Sequence, residues 1–209
     1  SAFHYSAALE DSDTQALLKR QDRRLANFEP QNLQTRERAI AFWINAYNYN
    51  MIAYLLRHPA EDGVPVDSVK DYGSFFSPYK VFQKSVFTIG GNDYSLDEME
   101  KEILLGEEYA ERGWKDARVH FAVNCASVGC PPLRDTLYTA DNVDAMLDEN
   151  TRRALKTERH FRRDGETLYL SSLFDWYTQD YVAAAGSVER FLLKHGDEDV
   201  TQAVRETED

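Results

Sequence analysis

QTRERAIAFWINAYNYNMIAYLLRH, residues 34–58, decides how the rest of the chain is read. Ile40, Trp43, Ile44, Tyr47, Met51, Tyr54 and Leu55 recur at spacings of three and four, which marks a helix with one apolar face. His58-Pro59 ends it, because the residue before a proline avoids the helical region. Three asparagines are out of character in such a helix. Asn45, Asn48 and Asn50 carry amides that compete for backbone hydrogen bonds, and a buried amide left unpaired costs about 1–3 kcal/mol. Their partners are either a neighbouring loop that they brace or a polar ligand. Trp43, Tyr47 and Asn50 share one face, with Asn45 and Asn48 adjoining it.

Outward from this helix, residues 14–28 read as a second helix and residues 59–80 as an irregular loop rich in Gly, Pro, Ser and Asp. Residues 80–96 form a hairpin around Gly90-Gly91-Asn92-Asp93. Ser95 caps a helix from Leu96 to Leu105, with Asp97 and Glu98 in its first turn, where acids suit the helix dipole. RVHFAV, residues 118–123, reads as a short apolar strand, and Cys125 to Pro132 as a turn. Residues 141–157 form a charged amphipathic helix, TLYLSSLFDWYTQDYV passes from strand into helix, and residues 187–195 make a last helix before a tail. With no repeat and no composition break, the expectation is one α+β domain over residues 1–209, helix-rich around a small antiparallel sheet.

The charge balance, 24 Lys+Arg against 36 Asp+Glu, leaves a net −12. An acidic surface repels phosphate backbones, so neither nucleic acid nor anionic membrane is an expected partner. No apolar run approaches the roughly 20 residues of a membrane helix, so no membrane insertion is expected. The chain starts at Ser1 without methionine, consistent with removal of an upstream segment.

RVHFAVNCASVGCPPLR, residues 118–134, holds both cysteines. Three readings of Cys125 and Cys130 compete: a disulfide staple, a reactive cysteine, or a tight turn that contains sulfur. A strand ending in the small residues Ala126 and Ser127 can present backbone N–H groups beside a thiol, as an oxyanion hole requires. A disulfide needs the two Cα atoms within roughly 7 Å. Nucleophilic cysteine also needs a base, and His120 is the nearest. Along a regular strand it would stand some ~16 Å from Cys125 at about 3.3 Å per residue, on the opposite face, so only a bulge or early bend would join them. His4, His58, His160 and His195 are weaker candidates: His160 sits among arginines and His195 in a basic turn. No pair has metal-ligand spacing, and neither a metal nor a cofactor is expected. Glu100, in the helix before the cysteine segment, can orient a base. Phe174, Tyr177 and Tyr181 form an apolar stripe beside Asp180, which can tie down a loop.

FWINAYN, SLDEMEKEIL, RVHFAVNCASVGCPPL and LSSLFDWYTQDY stand in an order that resembles the family catalogued as domain of unknown function 547, over roughly residues 3–182. The family pattern maps onto Asn45, Tyr47, Asn48, Glu100, His120, Cys125, Ser127, Cys130, Pro131, Trp176, Tyr177 and Asp180. The resemblance implies a papain-like core and, since bacterial relatives often carry export signals, a periplasmic or secreted location. The chain departs from the family at Met99-Glu100-Lys101, where relatives commonly read Ile-Glu-His. In a papain-like topology the nucleophile begins the central helix, yet FWINAYN has Asn45 and no cysteine.

Two functions follow. The first is a thiol hydrolase or acyl-transferase acting on a peptide or amide bond, with Cys125 as nucleophile, His120 as base and Glu100 orienting it. The second is a non-catalytic cleft for a small peptide-like or thiol ligand such as glutathione, which Cys125 can hold as a mixed disulfide. Asn45, Asn48, Tyr47, Asn124, Ser127, Trp176 and Asp180 are the candidate ligand-binding residues.

Overall fold

The computed structural model describes residues 3–59, 80–126, 130–131 and 133–208. The expected loop at 59–80 lies almost wholly outside them. Two helices, α1 (Tyr5–Glu10) and α2 (Thr14–Ala26), lead into the long helix α3 (Arg36–Arg57). Thr35 caps α3 by accepting a hydrogen bond from the Arg38 N–H at 3.4 Å, and the helix stops at His58, as the following proline requires. Its apolar stripe is buried: Ile40, Ile44, Tyr47 and Met51 are each no more than 1% exposed.

The expected hairpin is present as β1 (Phe87–Ile89) and β2 (Asn92–Tyr94), paired antiparallel with Ile89 opposite Asn92. Gly90 and Gly91 both adopt positive φ, +60° and +78°, which is the two-residue turn that suits strand twist. A Cβ at Gly90 would stand 2.7 Å from the Phe28 carbonyl oxygen, so glycine is also demanded by close approach to the end of α2. Ser95 caps the next helix as expected, and the structure adds a reciprocal bond with Glu98 that completes a capping box. Its hydroxyl accepts from Glu98 N–H at 3.1 Å, while the Glu98 carboxylate accepts from Ser95 N–H at 2.6 Å. The helix it opens is wound as a π-helix over Glu98–Leu104, with the Leu105 N–H donating to the Glu100 carbonyl at 2.9 Å. Helix α4 (Glu107–Glu111) follows.

RVHFAV is not a strand. Residues Ala117–Phe121 form a 3-10 helix, started by Asp116, whose carboxylate accepts from the Arg118 N–H at 3.0 Å. A short apolar run suits a strand and a buried helical turn equally well, and here the cap settles the matter. At three residues per turn, successive side chains point about 120° apart. Val119 enters the core around α3, Phe121 enters a second, aromatic core, and His120 faces between them.

Helix α5 (Val143–Leu155) is the expected amphipathic element. A second hairpin, β3 (Phe161–Asp164) with β4 (Thr167–Leu170), turns at Asp164–Thr167, and β3 was not visible from alternation. Helices α6 (Ser172–Trp176) and α7 (Thr178–Ala185) complete the predicted strand-to-helix passage, and α8 (Val188–His195) is the helix expected at 187–195. The expected tail is instead helix α9 (Glu198–Glu208), whose Val200, Ala203 and Val204 are buried. These helices enclose the second core around Phe121, Phe174, Tyr181 and Phe191. The result is a helix-rich α+β domain with, among the described residues, two small two-stranded antiparallel sheets.

Candidate functional site: a cleft between the two cores

A cleft of about 600 Å³ opens where the 3-10 helix, the π-helix and α6 meet. Glu100, His120, Cys125 and Cys130 all line it, so elements far apart in sequence converge on one place. The shorter rise of a 3-10 helix, about 2.0 Å per residue, removes the extended-strand objection to placing His120 and Cys125 together.

His120 is held from the C-terminal part of the chain. Its Nε2 lies 2.8 Å from Asp180 Oδ2, whose other oxygen is 2.7 Å from Lys115 Nζ. Tyr177 stacks on the imidazole at a centroid distance of 4.0 Å. The His120 Nδ1 is buried without a hydrogen-bond partner, and the nearest acid is Glu100 Oε1 at 3.9 Å. Burial pushes the Glu100 carboxyl above its ordinary range, even though His120, Lys101 and a hydrogen bond from Tyr47 favour its ionised form. Burial and the neighbouring Glu100 also raise the Tyr47 hydroxyl and the Tyr177 hydroxyl. Asp180 moves the other way: burial opposes its charge, but hydrogen bonds from His120 and Lys115 hold it below the usual carboxylate range. Lys101, where relatives carry histidine, is paired with Asp97 at 2.9 Å.

The two cysteines are joined. Cys125 and Cys130 form a disulfide with Cα atoms 6.2 Å apart, and neither thiol is free. Asn124 holds the segment from both sides. Its Nδ2 donates to the Pro131 carbonyl at 2.6 Å and its Oδ1 accepts from the Ala126 N–H at 2.7 Å. Ala126 sits at φ +54°, a left-handed conformation that costs a non-glycine residue about 1–2 kcal/mol.

The asparagines of α3 use their amides as braces. Asn48 accepts from the Asn124 N–H at 2.8 Å and donates to the Ala122 carbonyl at 2.9 Å. Asn45 makes the same pair of bonds with Tyr138, at 3.1 Å and 2.7 Å. Neither lines the cleft, nor do Asn124 and Asp180, which act behind its wall. Tyr47 and Trp176 do line it, and Trp176 is 70% exposed. Ser127 lies outside the described residues.

Two contributors were not anticipated. Lys115 carried no sequence signal. His160, set aside for its arginine neighbours, lines the cleft with its Nδ1 3.1 Å from the Ser171 hydroxyl. Among the described residues no group of His, Cys, Asp and Glu is arranged to hold a metal ion, and no helix is long and apolar enough to cross a membrane.

Residues 30–154 match the family model described as "Protein of unknown function, DUF547". The chain belongs to the DUF547 family. No curated protein and no solved structure matches it. The DUF547 span contains Glu100, His120 and both cysteines, whereas Asp180, Tyr177 and Trp176 come from beyond its end.

Proposed function

We propose that the cleft binds a small peptide-like ligand that carries a thiol, a class that includes glutathione. One observation carries this reading: the Cys125–Cys130 disulfide stands in the wall of the cleft that His120 lines. A disulfide inside a ligand cleft is a chemical partner for thiols above all other groups. The remaining wall suits a short zwitterionic peptide. Phe82, Pro131, Leu170 and Trp176 supply apolar surface, and the Asp97–Lys101 pair, 2.9 Å apart, offers both signs of charge by exchanging partners with the ligand's ends. A periplasmic or secreted setting accords with the disulfide, which persists where the surroundings are oxidising.

Thermal denaturation of the full chain with glutathione and with thiol-bearing di- and tripeptides tests the proposal. Saturation at about 100 times Kd adds roughly 2.7 kcal/mol, or a rise of about 5–10 °C for a chain of this size. Trp176→Ala, an exposed position, should abolish the rise while leaving the free protein's melting point nearly unchanged. No rise at millimolar ligand, or a rise indifferent to Trp176→Ala, refutes the proposal.

A second reading is favoured by one detail. His120 has Nε2 anchored on Asp180 and Nδ1 unpartnered, the division of labour that a base for a thiol needs. On that reading the reduced protein is a thiol hydrolase with Cys125 as nucleophile. Iodoacetamide labelling of Cys125 after reduction should then titrate well below the ordinary ~8.5 of a thiol. An ordinary profile removes this reading.

A further inference from the structure

Two independent links close the segment between Asn124 and Pro131. One is the disulfide, and the other is the Asn124 side chain, bonded to the Pro131 carbonyl and the Ala126 N–H. Asn124 is itself fixed to α3 through Asn48. Opening the S–S bond therefore leaves the two sulfurs close together. The two sulfurs also differ chemically. Cys130 Sγ accepts a hydrogen bond from the Cys125 N–H at 3.3 Å, and no comparable donor to Cys125 Sγ is found among the described residues. A hydrogen bond to the charged form favours that form, and the sulfur that leaves more readily as thiolate sets the direction of exchange.

We infer that the disulfide is an exchange site with a fixed direction: Cys125 receives the incoming thiol and Cys130 leaves. The ligand thiolate forms a bond to Cys125 Sγ as the Sγ–Sγ bond breaks, and the electron pair departs on Cys130 Sγ, held by the Cys125 N–H. The proton first lost by the ligand thiol goes to solvent. Return of the Cys130 thiolate to Cys125 Sγ expels the ligand unchanged, so no oxidant or reductant is consumed. Asn124 is a positioning residue that keeps Cys130 within reach for this return. The peptide-like nature of the thiol rests on the function proposed above; the direction of exchange does not.

The full chain is incubated separately with glutathione and with 2-mercaptoethanol, quenched with excess N-ethylmaleimide, and mapped by peptide mass spectrometry. Both thiols should appear on Cys125 with the alkyl group on Cys130, in about tenfold or greater excess over the reverse pattern. Adducts on Cys130, an even division, or no adduct with either thiol overturns the inference. Equal rates for the two thiols leave the direction standing and defeat only the peptide-like reading. Asn124→Ala should lengthen the life of the Cys125 adduct after excess thiol is removed, by about tenfold if loop closure has become slow. Cys130→Ser, which lacks the returning sulfur and is loaded at Cys125 by exchange with glutathione disulfide, should hold the adduct indefinitely once the loading reagent is removed. Release from Cys130→Ser as fast as from the parent protein contradicts the scheme.

Discussion

Arg118 and His120 stand two residues apart on one 3-10 helix and serve opposite ends. Arg118 is saturated. It grips Asp116 through two nitrogens at 2.9 and 2.6 Å, reaches Asp144 and Asp148 at 2.8 Å each, and shares Asp116 with Arg36. His120 has one strong partner, Asp180, and a second nitrogen that is buried and unsatisfied. A completed polar network stiffens a fold, whereas an incomplete one in a cleft wall is held ready for chemistry or for a ligand. Arg118 and His120 are thus distinguished by how fully each is paired.

The largest expected effect lies on the Arg118 side. Arg118→Met leaves Asp116 buried without its bidentate partner, which should cost about 3 kcal/mol and lower the melting temperature by roughly 10 °C. A loss below ~1 kcal/mol in denaturant unfolding would mean that this cluster is no more than surface decoration. Asp180→Ala comes next. It strips both His120 Nε2 and Lys115 of their acceptor, for a cost of about 1–3 kcal/mol. On the reading proposed here it also weakens ligand binding, which the Arg118 substitution should spare in the folded fraction.

The paired replacement Cys125→Ser with Cys130→Ser should cost less than the ~2 kcal/mol that loop entropy assigns to so short a ring, because Asn124 already closes the segment. A loss of 4 kcal/mol or more by urea unfolding, on the order of the largest disulfide effects, would make the bridge a staple rather than an exchange site.

Smallest in size, and opposite in sign, are two carboxylate-to-amide changes. Hydrogen bonds and charge from Arg118 outweigh the burial that opposes ionisation of Asp116 and hold its pKa down. The native state therefore prefers its ionised form, and the stability this contributes is present at neutral pH and lost as pH falls through the depressed value. Asp116→Asn should destabilise at pH 7, by an amount that shrinks in acid. Glu100 is raised by burial, so ionising it near neutral pH costs the native state stability, and that cost fades as pH falls. Glu100→Gln should therefore stabilise at pH 7, with the gain vanishing in acid. Urea unfolding at several pH values reads both. If the two variants shift in the same direction at pH 7, the contrast between the Arg118 and His120 clusters is broken.

Much of this architecture was legible before any coordinates. The stripe of α3, the Gly90-Gly91 turn, the Ser95 cap and the stop at His58 all rest on local rules of periodicity, capping and backbone conformation, which operate within a few residues. The same rules were ambiguous for residues 118–123, where the short apolar run holding Val119 and Phe121 reads equally as a strand or a buried helical turn. These two residues in fact enter two different cores from a turn of 3-10 helix.

What the amino-acid order determined by itself was the set of elements and the chemistry available: amides on one helix, two sulfurs five positions apart, and a histidine nearby. Only the tertiary structure decided which of these meet. Asp180 reaches His120 across 60 residues of chain and Asn48 reaches Asn124 across 76. Local propensity cannot encode such pairings, because they are selected by the packing of two cores against each other and by the need to satisfy each polar group that packing buries.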